Sequence, residues 1–91
     1  MKIRVRVTVS GLVQGVGFRY AVRREASLAG VRGYVKNLPN GKVEAVFEGE
    51  ESKVMELVGF CEQGPPGADV SGINVKKEGF ADEFISFEIR Y

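Results

Sequence analysis

Histidine and tryptophan are both absent from the 91 residues, and cysteine occurs once, at Cys61. Without imidazole, the usual zinc, copper and iron sites lack their ligands. Acid–base and nucleophilic chemistry resting on histidine is excluded with them. A lone cysteine leaves no intrachain disulfide. Excess charge of either sign is missing as well, since thirteen basic residues face twelve acidic ones and leave a formal charge of +1. That balance gives no global electrostatic reason for nucleic acid or an acidic membrane as partner. No apolar run is long enough to span a bilayer. The opening MKIRVRVTVS alternates polar and apolar residues, unlike the continuous apolar stretch of a signal peptide. The expected setting is cytoplasmic, and neither a metal nor a cofactor is implied.

What is present makes one small domain over residues 1–91, near the lower end of what buries an adequate core without staples. Ile3, Val5, Val7 and Val9 alternate with Lys2, Arg4, Arg6 and Thr8, the period of a strand with one buried face. From Phe18 to Ala29 the apolar residues Phe18, Ala21, Val22, Ala26 and Ala29 recur at helical spacing, with Gly30 as the stop. Val31 to Lys36 and Val43 to Glu48 read as two further strands joined by NLPNG, whose Pro39 and Gly41 supply turn chemistry. Val54, Leu57, Val58 and Cys61 mark a second helix, acidic at its start and stopped by GPPG at Gly64–Gly67. A less regular strand covers about Asp69 to Lys77, with Gly72 as its expected bulge. A last strand is expected to set Ile85, Phe87, Ile89 and Tyr91 on one face.

The order β-α-β-β-α-β with an extra C-terminal strand predicts an α+β fold. It is a split βαβ sandwich of the ferredoxin-like kind, a mainly antiparallel sheet with both helices on one face. Its first helix is then a crossover between parallel strands, so the C-terminal ends of those strands share one sheet edge. Two loops meet there, GLVQGVGFR after the first strand and KNLPNG after the second. With one strand between them, they lie about 10 Å apart.

Phosphate is the anion this loop suits. Gly15 and Gly17 allow positive φ, so successive N–H groups can turn inward as a nest. The loop runs into a helix N-terminus, where unsatisfied N–H groups favour negative charge. Arg19 adds a planar, permanently charged fork matched to two phosphate oxygens. The dinucleotide fingerprint requires glycine where Tyr20 stands, and the Gly-Lys-Ser/Thr ending of the nucleotide-binding P-loop is missing. From these residues alone, a phosphate cradle stands beside a plainer reading, a glycine-rich turn with a surface arginine.

GLVQGVGFR (Gly11–Arg19) and GYVKNLPNGKVEAVFEG (Gly33–Gly49) together resemble the signature stretches of the acylphosphatase family. The resemblance runs over the whole chain, including GPP after the second helix and the β-rich C-terminus. It implies hydrolysis of carboxyl–phosphate anhydrides, with a small acyl phosphate as substrate and inorganic phosphate as product and inhibitor. It also implies that Arg19 binds the phosphoryl group, that the backbone N–H groups of Gln14, Gly15, Val16, Gly17 and Phe18 form the cradle, and that Asn37 positions the attacking water. An acyl phosphate already carries a good leaving group, so positioning and charge stabilisation suffice.

Other readings stand beside these. Asn37 also suits a turn before Leu38-Pro39. Gln14 either shapes the loop through its side chain or touches the substrate. Tyr20 either lines the pocket mouth or lies on the surface, while Phe18 and Cys61 are expected in the core. Glu48, Glu50 and Glu51 cluster near a helix start, where dipole complementarity accounts for them; a divalent-cation site is the alternative. The RNA-recognition motif shares the element order, yet GKVEAVFEGE offers only Phe47 among acids where stacking aromatics belong. A non-catalytic small-molecule or regulatory domain of the same fold, or an acylphosphatase-like module of a carbamoyl-transfer enzyme, is disfavoured by the presence of both Arg19 and Asn37.

Overall fold

The computed structural model describes every residue from Met1 to Tyr91. Its elements are β1 (Lys2–Leu12), α1 (Phe18–Ala29), β2 (Arg32–Asn37), β3 (Val43–Glu50), α2 (Glu51–Gln63), β4 (Asp69–Glu78) and β5 (Phe87–Arg90). The strands form one sheet in the order β4-β1-β3-β2-β5. Antiparallel ladders join β3 to β1 and β2, and β4 to β1, while β5 runs parallel to β2. This is the expected α+β arrangement, with the parallel pair at the β5 edge.

Alternation in β1 does what its period demands. Val5, Val7 and Val9 are buried under the helices, whereas Arg4 and Arg6 face the other way. β3 adds Val43, Ala45 and Phe47 to the same layer. α1 buries Phe18, Val22 and Ala26, one residue per turn, and ends where Gly30 takes φ 73° and donates to the carbonyls of Ala26 and Ser27. α2 buries Val54, Leu57, Val58 and Cys61 and ends as Gly64 N–H bonds Phe60 O at 2.7 Å. Phe47 stacks on Phe87 with ring centroids 5.6 Å apart, joining the central strand to the parallel edge. Truncating such a ring to alanine costs about 3–5 kcal/mol. Cys61 is a core thiol, and burial, with a smaller push from the charge of Glu62, raises its pKa to about 12.

Three expectations need correction. The bulge falls at Ser71, beside Gly72: Ser10 pairs with Gly72 and Gly11 with Val70, leaving Ser71 without an opposite residue. The last strand is only four residues long, because its ladder with β2 runs from Gly33↔Phe87 to Lys36↔Arg90. Phe87 alone of the expected four is fully buried; Ile89 packs at the core margin, while Ile85 is 96% and Tyr91 90% exposed.

The third concerns Glu48. It belongs to β3, is 3% exposed on the sheet face away from the helices, and serves no helix end. Its carboxylate accepts from the backbone N–H groups of Ala81 at 2.8 Å, Asp82 at 3.1 Å and Glu83 at 3.3 Å, tying the β4–β5 connection across that face. Glu50 instead meets the Met1 ammonium at 3.0 Å, and Glu51 alone is acidic in the first turn of α2. No group of three His, Cys, Asp or Glu side chains is arranged to hold a cation.

Candidate active site

Because β1 and β2 both pair antiparallel with β3, they run parallel to each other and deliver their C-terminal ends to one edge. The 13–17 loop and the 38–42 turn therefore meet. Val13 and Phe18 are buried and Val16 packs against the core, so apolar anchors fix the loop between exposed glycines. Gly15 and Gly17 take φ 76° and 77°, left-handed conformations that turn consecutive amides toward the same side. A side chain at either position would meet no atom, so the demand for glycine there is conformational, not steric.

The amides of Gln14, Gly15, Val16 and Gly17 donate to no protein acceptor. The first bond of α1 runs from Ala21 N–H to Gly17 O at 3.1 Å, which leaves the first-turn amides of Phe18, Arg19 and Tyr20 without intrahelical partners. No acidic side chain occupies that turn and Gly17 supplies no side-chain cap. The positive end of α1 is thus uncompensated by the protein.

Arg19 starts from that turn and forms no ion pair: no carboxylate lies within 4.0 Å of its guanidinium, although every other basic group of β1 and β2 except Lys2 has one. Its Cζ lies 4.8 Å from the ring centroid of Tyr91. Val13, Gly15, Gly17, Phe18, Arg19, Tyr20 and Asn37 line a single cavity of about 130 Å³. A water occupies about 30 Å³ of the liquid, so several fit in such a space.

Asn37 closes the cavity from the end of β2. Its Oδ1 is the one buried side-chain oxygen or nitrogen in the molecule with no hydrogen-bond partner. Leaving such a group unpaired costs about 1–3 kcal/mol. A turn-forming asparagine would spend that oxygen on a neighbouring N–H. Asn40 does so instead, accepting from Lys42 N–H at 3.0 Å. The side chain of Gln14 does not line the cavity, and its Nε2 donates to Leu38 O at 2.8 Å and Lys42 O at 2.9 Å. Of its two readings, the loop-shaping one is the observed geometry. Tyr20 is exposed and also lines the cavity rim. The sequence pattern put Tyr91 on a strand face and not beside Arg19, because its approach to Arg19 depends on the parallel pairing of β5 with β2.

A family model for acylphosphatase matches residues 5–89. The chain belongs to the acylphosphatase family. An acylphosphatase of Geotalea uraniireducens (strain Rf4) is 52% identical over 91 residues, covering all of both chains. Among solved acylphosphatase structures, that from Coxiella burnetii is 42% identical with a TM-score of 0.92, covering 98% of this chain and 93% of its own. The Bacillus subtilis acylphosphatase is 37% identical with a TM-score of 0.93, over 98% and 99% of the two chains. The loop and cavity just described therefore sit in an acylphosphatase fold over nearly its full length.

Proposed function

We propose that this chain hydrolyses the carboxyl–phosphate bond of acyl phosphates, releasing a carboxylate and inorganic phosphate. Arg19 and the amides of Gln14 to Phe18 hold the phosphoryl oxygens, and Asn37 holds the attacking water. The observation that carries this reading is the coexistence, around one cavity, of unpaired donors with a buried, unpaired carboxamide oxygen. A phosphoryl group supplies acceptors to the former, and a water supplies a donor to the latter.

The chemistry asks little more of the protein. Charge spreads over the equatorial phosphoryl oxygens as the bond to the carboxylate lengthens, and preorganised N–H groups with a guanidinium are suited to that charge. The departing carboxylate is a weak base and leaves without a proton. Asn37 accepts a hydrogen bond from the water through Oδ1 and leaves the water's lone pair toward phosphorus. The proton has an acceptor in the phosphoryl oxygens themselves, so no imidazole is required.

Phosphate release from benzoyl phosphate in EDTA-containing buffer tests the reading. Turnover in chelator is expected, with inorganic phosphate a competitive inhibitor because substrate and product share the cradle. Activity that vanished with chelator and returned with a divalent cation would overturn the metal-free mechanism.

A further inference from the structure

Past Val43, no strand ladder connects the two loops of the site. The β1–β3 register stops at Val9↔Val43 and the β2–β3 register at Asn37↔Val43. The cradle and the turn after Asn37 then continue separately, and the only hydrogen bonds between them come from Gln14. Its two acceptors, Leu38 O and Lys42 O, are the carbonyls on which the turn itself closes. Leu38 N–H donates to Lys42 O at 2.8 Å and Gly41 N–H to Leu38 O at 3.1 Å. Both partners are carbonyl oxygens, so only the NH₂ end of the carboxamide fits, and both its hydrogens are used.

We propose that Gln14 is a positioning residue: its side chain sets the cradle in register with Asn37, so that held phosphorus and held water face each other at reacting distance. The inference rests on the reading of Asn37 as the water's holder. It differs from a cradle role, because the Gln14 side chain bonds the turn carbonyls and is not among the residues lining the cavity. Loss of the clip leaves the nest and Arg19 intact but frees the distance between two reactants, which rate depends on steeply.

The test is a double-variant cycle with Gln14→Met, which keeps length and adds no charge, together with Asn37→Ala. Gln14→Ala serves as a second disruption of the clip. Affinity for inorganic phosphate, read by calorimetry, shows that each variant retains a folded cradle. Gln14→Met is expected to lower kcat by about tenfold or more, with phosphate affinity within about threefold of the parent. In the Asn37→Ala background the same change should cost less than about twofold, because no placed water remains to be misaligned. Unchanged kcat in both Gln14 variants, or phosphate affinity falling in proportion to kcat, overturns the proposal. So do multiplicative losses in the double variant. Normal turnover by Asn37→Ala alone instead removes the water reading, and with it what Gln14 positions.

Discussion

Arg4 and Arg6, on the outer face of the sheet, have their charges met by carboxylates; Arg19, at the cavity, has none. Arg4 pairs with Glu78 at 3.0 Å, with Glu48 at 3.6 Å and with Glu83, while Arg6 reaches Glu78 at 2.7 Å and Glu44 at 3.2 Å. Tyr34 joins them, accepting from Arg6 at 3.1 Å and donating to Glu44 at 2.9 Å. The hydrogen bond that Arg4 donates to Glu83 holds the Arg4 pKa above its usual value, and those that Arg6 donates to Glu78 do so for Arg6. Burial raises the Tyr34 pKa, and the hydrogen bond from Arg6 holds Glu78 below the usual carboxylate range. The outer face satisfies its polar groups and so stabilises. At the cavity, the loop amides, the Arg19 guanidinium and the buried Oδ1 of Asn37 have no hydrogen-bond or ion-pair partner in the protein, the pattern expected where function is favoured over stability.

Exchanging the two roles is the way to break this contrast. The largest effect is expected at Arg19. Arg19→Lys keeps the charge and loses the bidentate fork, so kcat/KM should fall by at least roughly 10²-fold. Its thermal midpoint should stay within a few degrees, because the Arg19 side chain makes no ion pair or hydrogen bond to the protein and its one aromatic contact is with the exposed Tyr91 ring. Near-normal efficiency in the folded variant would mean that Arg19 is not the phosphate clamp.

Glu48→Ala should do the reverse. It removes the acceptor of three backbone amides, at a cost of about 3 kcal/mol by the scale of broken buried networks. For a domain of this size that lowers the midpoint by roughly 12 °C or more. Activity per folded molecule should be unchanged below the transition. A variant as stable as the parent would mean that the β4–β5 connection needs no anchor.

A smaller effect concerns pH. Glu78 has a folded pKa below its unfolded value of about 4.3, so its contribution is fully present above that pH. It is lost as the pH falls through the depressed folded value. Glu78→Gln should therefore flatten part of the stability loss below about pH 4 in denaturant titrations, with no change in phosphate affinity. An unaltered acid limb would remove Glu78 from the account. The smallest effect is expected at Tyr91, whose ring lies near Arg19 in an exposed position. Tyr91→Leu should weaken phosphate binding by about two- to fivefold, the scale of an exposed cation–π contact. A loss as large as that of Arg19→Lys would promote the ring to an essential support.

What could be read from the chain follows the same division. Core positions announce themselves locally: Val22 and Ala26 by helical period, Val5 and Val7 by alternation, the end of α1 by Gly30. Glycines 15 and 17, with Arg19 two residues on, also carry their meaning in a short stretch. Glu48 does not. Its acceptor role depends on amides more than thirty residues away, and nothing near it in sequence separates it from Glu50 or Glu51. Tyr91 continued the alternation of Phe87 and Ile89, yet the ladder with β2 ends at Lys36↔Arg90 and leaves Tyr91 exposed beyond it. Both misreadings arise where long-range pairing, and not local period, decides the side chain's surroundings.

The central claim is that the donors hold phosphate while Asn37 acts on water alone. Asn37→Ala separates the two when phosphate affinity and turnover are measured on the same preparation. Phosphate should bind with affinity within about threefold of the parent, while kcat falls by roughly 10²-fold, the cost of an unplaced reactant. Phosphate affinity and stability lost together with turnover would contradict the claim and make Asn37 a turn residue.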